Sequence, residues 1–215
     1  MFKIQKLDLL VAIYIFCVVA SETMGAKTFP LFRIGGFDIH ASVAIFVVPV
    51  IFTINDVITE VFGKEKTRSI IRSGLVVVIL VLLYSLLVTH LPASKNFAYA
   101  NDAYNTVFGI SARFSLASLL AFASAEFLDV FVFVKLREAL GKKDFWLRNN
   151  VSNFISELLD TAVFMTLAFW AFNLSPSSNV SFILGLAIPY YALRCIMSLV
   201  ETPFAYLGIR WLKEK

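Results

Sequence analysis

Charge is scarce in this sequence. Only 16% of its 215 residues are charged and 59% are hydrophobic. A soluble domain carries roughly 25% charged and 45–50% apolar residues, so a soluble globular domain is excluded. Nine glycines and six prolines are too few for a loop-rich chain or a barrel, and no low-complexity segment occurs. Two cysteines, Cys17 and Cys195, make no disulfide framework and no metal signature. Both fall in predicted helices, as small packing residues. The two histidines, His40 and His90, fall near the outer ends of predicted spans, where an interfacial role is the ordinary reading. There is no G-x-S-x-G, no H-E-x-x-H and no glycine-rich phosphate loop. An enzyme is not expected, nor a cofactor, a bound metal or a nucleic-acid partner.

What the chain has is hydrocarbon, including 22 phenylalanines and a mean hydropathy of +0.81. A membrane-spanning helix needs about 20 mostly apolar residues. Six stretches qualify, at residues 7–25, 42–62, 69–90, 108–136, 146–172 and 182–211. The expected fold is an all-α integral membrane protein, a single domain over residues 1–215 built as a bundle of six transmembrane helices. The fourth and sixth stretches exceed a bilayer and should tilt or extend into the cytoplasm.

Lysine and arginine set the expected orientation. Fourteen of the nineteen lie at the N-terminus, in the second and fourth connections and at the C-terminus, with clusters at Lys64–Arg72 and Lys135–Arg148. Four lie on the alternate side, at Lys27, Arg33, Lys95 and Arg113, and Arg194 is left inside a helix. Both termini should therefore be cytoplasmic. The first helix could be mistaken for a cleaved signal peptide, but its removal would spoil this alternation, so it is expected to stay. Asn173 and Asn179 open N-x-S patterns on the outer side, too short to carry weight.

Charged side chains in hydrocarbon cost about 3 kcal/mol each on insertion scales. The predicted spans nevertheless hold Glu22, Asp56, Glu60, Glu126, Asp129, Glu157, Asp160 and Glu201, against one arginine, Arg194. Asp160 lies about 21 Å beyond Trp146 at 1.5 Å per residue, close to the midplane with Arg194. The spacing is patterned. Glu126, Asp129 and Phe133 repeat as Glu157, Asp160 and Phe164, both in the form E-x-x-D-x-x-x-F. Steps of three and four residues place each set on one helix face. Asn149, Asn153 and Ser156 continue the second set. Tyr190, Arg194, Ser198 and Glu201 form another stripe, and Pro49, Thr53, Asp56 and Glu60 a fourth. Such stripes must face one another or a wet cavity. One reading is interhelical polar glue around Arg194. The other is a binding cavity for a solute rich in hydrogen-bond donors or carrying positive charge. Pro49 and Pro189 could open the backbone beside it, or could be plain kinks.

The motifs resemble a known family. "NDVITEVFGKEKTR" (Asn55–Arg68) is similar to the N-D-x-x-x-E-x-[YF]-G hallmark of the queuosine precursor transporters, also called vitamin uptake transporters. "GAKTFPL" after the first helix, "LDVFVFVKLR" at Leu128–Arg137 and "WLRNNVSNFISELLDTAVF" at Trp146–Phe164 resemble it too. The resemblance covers nearly the whole chain. It departs from the family pattern at Glu126 and Glu157, where Gln is usual, and at Glu22, where Asn is usual. It implies six helices in the cell (inner) membrane and uptake of 7-cyano- or 7-aminomethyl-7-deazaguanine for the queuosine of transfer RNA.

The chemistry suits such a base. A guanine edge offers an N1–H beside an exocyclic amine, and a carboxylate accepts both. Asp56, Glu60, Asp129 and Asp160 are the expected acidic core, with Asn55, Asn153, Glu126 and Glu157 tuning specificity. Arg194 would orient an acid or donate to the base's carbonyl. Phe133, Phe164 or Tyr190 could sandwich the ring. Alternatives are the substrate-binding subunit of an energy-coupling vitamin importer, or a proton-coupled carrier of another small cation or base. The first helix lacks the Ala-x-x-x-Ala grip of such a subunit. The row Ala117, Ala121 and Ala125 would serve helix packing or a homodimer.

Overall fold

The computed structural model describes residues 4–34, 36–140 and 145–213. Among these there are six α-helices: α1 (Lys6–Met24), α2 (Val48–Phe62), α3 (Lys64–Thr89), α4 (Asn101–Leu140), α5 (Phe145–Phe169) and α6 (Pro176–Lys213). Among the described residues, four stretches are long and apolar enough to cross a membrane: Lys6–Met24, Val43–Phe62, Glu65–Thr89 and Ala98–Ala125. Helices dominate because hydrocarbon offers backbone N–H and C=O groups no water, and a helix satisfies them within its own segment.

One element departs from the all-α expectation. Between α1 and α2 stands an antiparallel hairpin, β1 (Thr28–Ile34) and β2 (Phe37–Ser42). Aromatic and branched residues on both sides of Gly35-Gly36 favour strands and a tight reversal, and Gly36 takes φ +87°. The register shifts between Pro30 and Phe32; a bulge tolerates a proline that cannot donate to the ladder. His40 therefore lies in a strand, edge-on to Phe182 of α6 with ring centroids 5.3 Å apart. Strand β2 comes so close to α6 that a Cβ on Gly185 would sit 2.5 Å from the Asp38 carbonyl oxygen.

Three helices begin several residues before the hydrophobic runs. α3 starts directly after Gly63, whose φ of +84° ends α2 and reverses the chain. The Thr59 and Thr67 hydroxyls, 2.8 Å apart, link the two helices across this turn. α6 starts at Pro176, a favoured first position, and the Ser175 hydroxyl accepts from Ser178 N–H at 3.2 Å. α4 starts at Asn101, and its 40 residues span about 60 Å at 1.5 Å per residue, twice the roughly 30 Å hydrocarbon core.

Leu80, Leu83, Leu87 and Phe127 are exposed, whereas Ser111, Ser115, Ala117 and Ala121 of α4 are fully buried. Lipid is as apolar as leucine, so helices associate through small and polar residues instead. Ala117 and Ala121 thus serve packing inside the chain: Ala117 joins Phe114 and Ala168 in one cluster. Phe114 meets Phe169 edge-on at 5.0 Å. Tyr14, Val18, Ile54, Ile58, Ile70 and Val78 form a second cluster among α1, α2 and α3. Cys17 is buried as a free thiol; the Cys195 side chain lies outside the described residues.

Polar side chains close the turn between α5 and α6. Arg113 of α4 donates to the carbonyls of Leu167 (2.7 Å) and Trp170 (2.6 Å), where the helix end carries partial negative charge. Asn179 is 1% exposed. Its amide exchanges hydrogen bonds with the Ala171 backbone, both at 2.8 Å, and donates to Leu174 and Ser175 carbonyls. A buried amide so engaged cannot accept a glycan. Replacing it leaves buried backbone groups unsatisfied, at about 1–3 kcal/mol. Asn179→Ala should therefore lower the melting temperature in detergent, and an unchanged transition would show that the turn holds without it.

Candidate functional site

A cavity of ≈ 240 Å³ lies among the helices, with residues of all six in its wall. Two carboxyl groups reach it, Glu22 from α1 and Asp160 from α5. Hydroxyls come from Tyr14, Ser21, Ser42, Ser118 and Tyr190. Phe52, Phe122 and Phe164 add aromatic faces, and Gly74, Val48 and Met165 fill between them. No lysine, arginine or histidine is among the described residues of the wall.

Local structure explains the arrangement. Asp160 and Phe164 are one turn apart on α5, so a single face presents an acid and a ring. Gly74 lets α1 approach α3: a Cβ there would lie 2.9 Å from the Tyr14 hydroxyl oxygen. Ser42 ties the end of α1 to the start of α2, donating to the Gly25 carbonyl and accepting from Ala44 N–H at 3.1 Å. On α4, Ser111, Ser115 and Ser118 follow at steps of four and three. Ser111 donates to the Thr23 carbonyl at 3.2 Å, and Ser115 and Ser118 lie against the Glu22 carboxyl.

The expected site residues divide into three groups. Asp160, Phe164 and Tyr190 line the cavity. Asn55, Asp56, Glu60 and Glu157 do not. Asp56 and Glu60 are exposed, because Ile54 and Ile58 turn inward and a helix places Asp56 about 200° from them. Asn55 is half-buried, and its Oδ1 makes no hydrogen bond. Glu157 is exposed. The side chains of Glu126, Asp129, Phe133, Asn153 and Arg194 lie outside the described residues. Glu22 was visible in the sequence as another acid in a span and as a departure from the family pattern, not as a site residue. The serine spacing on α4 marks a polar face there, but not which acid it meets. Among the described residues, no three His, Cys, Asp or Glu side chains gather as a metal ion would require.

Chemically, such a wall can hold a small flat molecule through its faces and accept hydrogen bonds from its edge. The volume falls below the roughly 300–1,000 Å³ of pockets for drug-sized ligands.

Comparison with known proteins agrees with this architecture. The chain is 29% identical over 193 residues to the "Probable queuosine precursor transporter" of Bacillus subtilis, covering 89% of this chain and 79% of that protein. It is 29% identical over 165 residues to the "Queuosine precursor transporter" of Escherichia coli, covering 75% of this chain and 69% of that one. No solved structure matches it. The family described as "Putative vitamin uptake transporter" matches residues 42–208, and with its apolar helices and central cavity the chain belongs to that family as a multi-pass membrane transporter, not an enzyme.

Proposed function

We propose that the protein imports queuosine precursors, 7-deazaguanine bases, across the cell (inner) membrane into the cytoplasm. The observation that carries this reading is the cavity, where carboxylates and aromatic faces meet in a space of ≈ 240 Å³. Relatives named queuosine precursor transporters support it. In this reading Asp160 accepts the N1–H and exocyclic amine of the base as a bidentate pair. Phe164 and Tyr190 hold the flat heterocycle. Asp56 and Glu60, with Asn55, belong to the path toward the cytoplasmic end of α2. Asp129 belongs with Asp160 to the acidic core, Glu126, Asn153 and Glu157 tune specificity, and Arg194 orients an acid or donates to the base's carbonyl. The test is complementation in a bacterium that neither makes nor imports these bases. Each base is supplied separately and queuosine is read in transfer RNA. Restoration by 7-cyano- or 7-aminomethyl-7-deazaguanine supports the reading. No restoration with correctly inserted protein removes it.

All six helices cross the membrane in this reading, with both termini cytoplasmic, as the Lys/Arg bias requires. Single cysteines at Lys64 and Lys142 should be labelled only from the cytoplasm, and those at Lys95 and Ser177 only from outside. Labelling of the cysteine at position 142 by an impermeant reagent in intact cells would invert or break this topology.

A further inference from the structure

Glu22 is an acid that packing does not explain. It is 7% exposed, near the end of α1. Its carboxyl lies against the Ser115 and Ser118 hydroxyls of α4, yet Oε2 completes no hydrogen bond, and neither does Ser115 Oγ. Glu22 and Ser118 both line the cavity. A buried acceptor without a donor is unfavourable, and a buried charge without a partner more so. No lysine, arginine or histidine among the described residues of the wall stands there to neutralise it. Serine hydroxyls can donate to the carboxylate, but they carry no charge. A cationic group on the molecule that enters would supply the missing partner.

The reading above already assigns Asp160, on a separate helix, to the guanine edge. A second carboxylate then meets another part of the same small molecule. The two candidate bases differ in one substituent. An aminomethyl group carries an ammonium with three donors and a positive charge. A cyano group is neutral and presents only an acceptor nitrogen, which a carboxylate repels. We propose that Glu22 is a specificity-determining residue of the cavity, pairing with an ammonium substituent on the base so that the aminomethyl form is taken in preference to the cyano form. This rests on the transport reading and sharpens it. Discrimination comes from both sides: attraction for the cation, and two facing acceptors for the nitrile.

The experiment is competition uptake in cells deficient in endogenous synthesis and import, with labelled 7-aminomethyl-7-deazaguanine challenged by either unlabelled base. The readout is the ratio of the two inhibition constants, which does not depend on how much protein is inserted. Wild type should favour the aminomethyl base. Glu22→Gln keeps the shape, removes the charge and adds an N–H donor suited to a nitrile. It should weaken the aminomethyl base by roughly tenfold to hundredfold, the loss of one charge-assisted bond, and leave the cyano base equal or better. Glu22→Asp should retain the wild-type preference. A wild-type preference for the cyano base overturns the proposal. So does an unchanged ratio in Glu22→Gln, whether both bases weaken together or neither does. Should Glu22→Gln fail to reach the membrane, the wild-type and Glu22→Asp ratios decide. Transport of both bases with a Glu22-independent ratio removes this proposal alone. Transport of neither removes the substrate reading, and this proposal falls with it.

Discussion

Asp160→Asn should reach the membrane in wild-type amount and take up labelled base poorly or not at all. Asp160 lines the cavity from the middle of α5. Asparagine nearly preserves its size but exchanges one acceptor oxygen for a donor. That donor would face the N–H groups of the base. Losing a charge-assisted bond costs about 1.5–3 kcal/mol, or roughly tenfold to hundredfold in affinity. Insertion should survive, because a neutral amide is cheaper in hydrocarbon than an anion. If Asp160 served only to hold helices together, the order would reverse. The mutant would be scarce in the membrane, and what remained would transport. Membrane level and uptake measured in the same cells separate these outcomes. Near-normal uptake by abundant Asp160→Asn would remove the residue from the site.

The second large effect is expected at Gly74, in the cavity wall. A Cβ there would approach the Tyr14 hydroxyl oxygen to 2.9 Å and its ring to 3.0 Å, and Tyr14 is itself buried in the wall. Gly74→Ala must displace the Tyr14 ring. Overpacking of this kind costs about 1–3 kcal/mol, so uptake should fall by roughly tenfold. Gly74→Leu fills the space and should abolish uptake. The mechanism predicts coupling between the two positions: in Gly74→Ala/Tyr14→Leu the clash is gone, and the combined loss should be smaller than the sum of the single losses. Strict additivity in uptake would mean that Gly74 acts through something other than Tyr14.

Composition and hydrophobic runs were enough to place the chain in a membrane as a helical bundle. The reason is physical: about 20 apolar residues suffice to span hydrocarbon, and a helix pairs its backbone within each run. The N-D-x-x-x-E-x-F-G stretch at Asn55–Gly63 carried the family, later matched over residues 42–208. The hairpin was not expected, although Gly35-Gly36 sits between aromatic runs. A search for spans passes over it, because strands of seven and six residues are too short to register.

The site was legible in part. Helical spacing joined Asp160 to Phe164 on one face and Asp56 to Glu60 on another. It could not say which face turns inward, because lipid and a bundle interior are equally apolar and hydrophobicity does not distinguish them. Packing decided that: Ile54 and Ile58 take the buried face of α2, leaving Asp56 and Glu60 exposed, while Asp160 enters the cavity. Nor could spacing bring Glu22 to Ser115 and Ser118, more than 90 residues away in the chain. That the chain forms long apolar helices follows from local chemistry. Which acid meets the substrate depends on how each helix is rotated about its own axis, and only contacts with other helices fix that rotation.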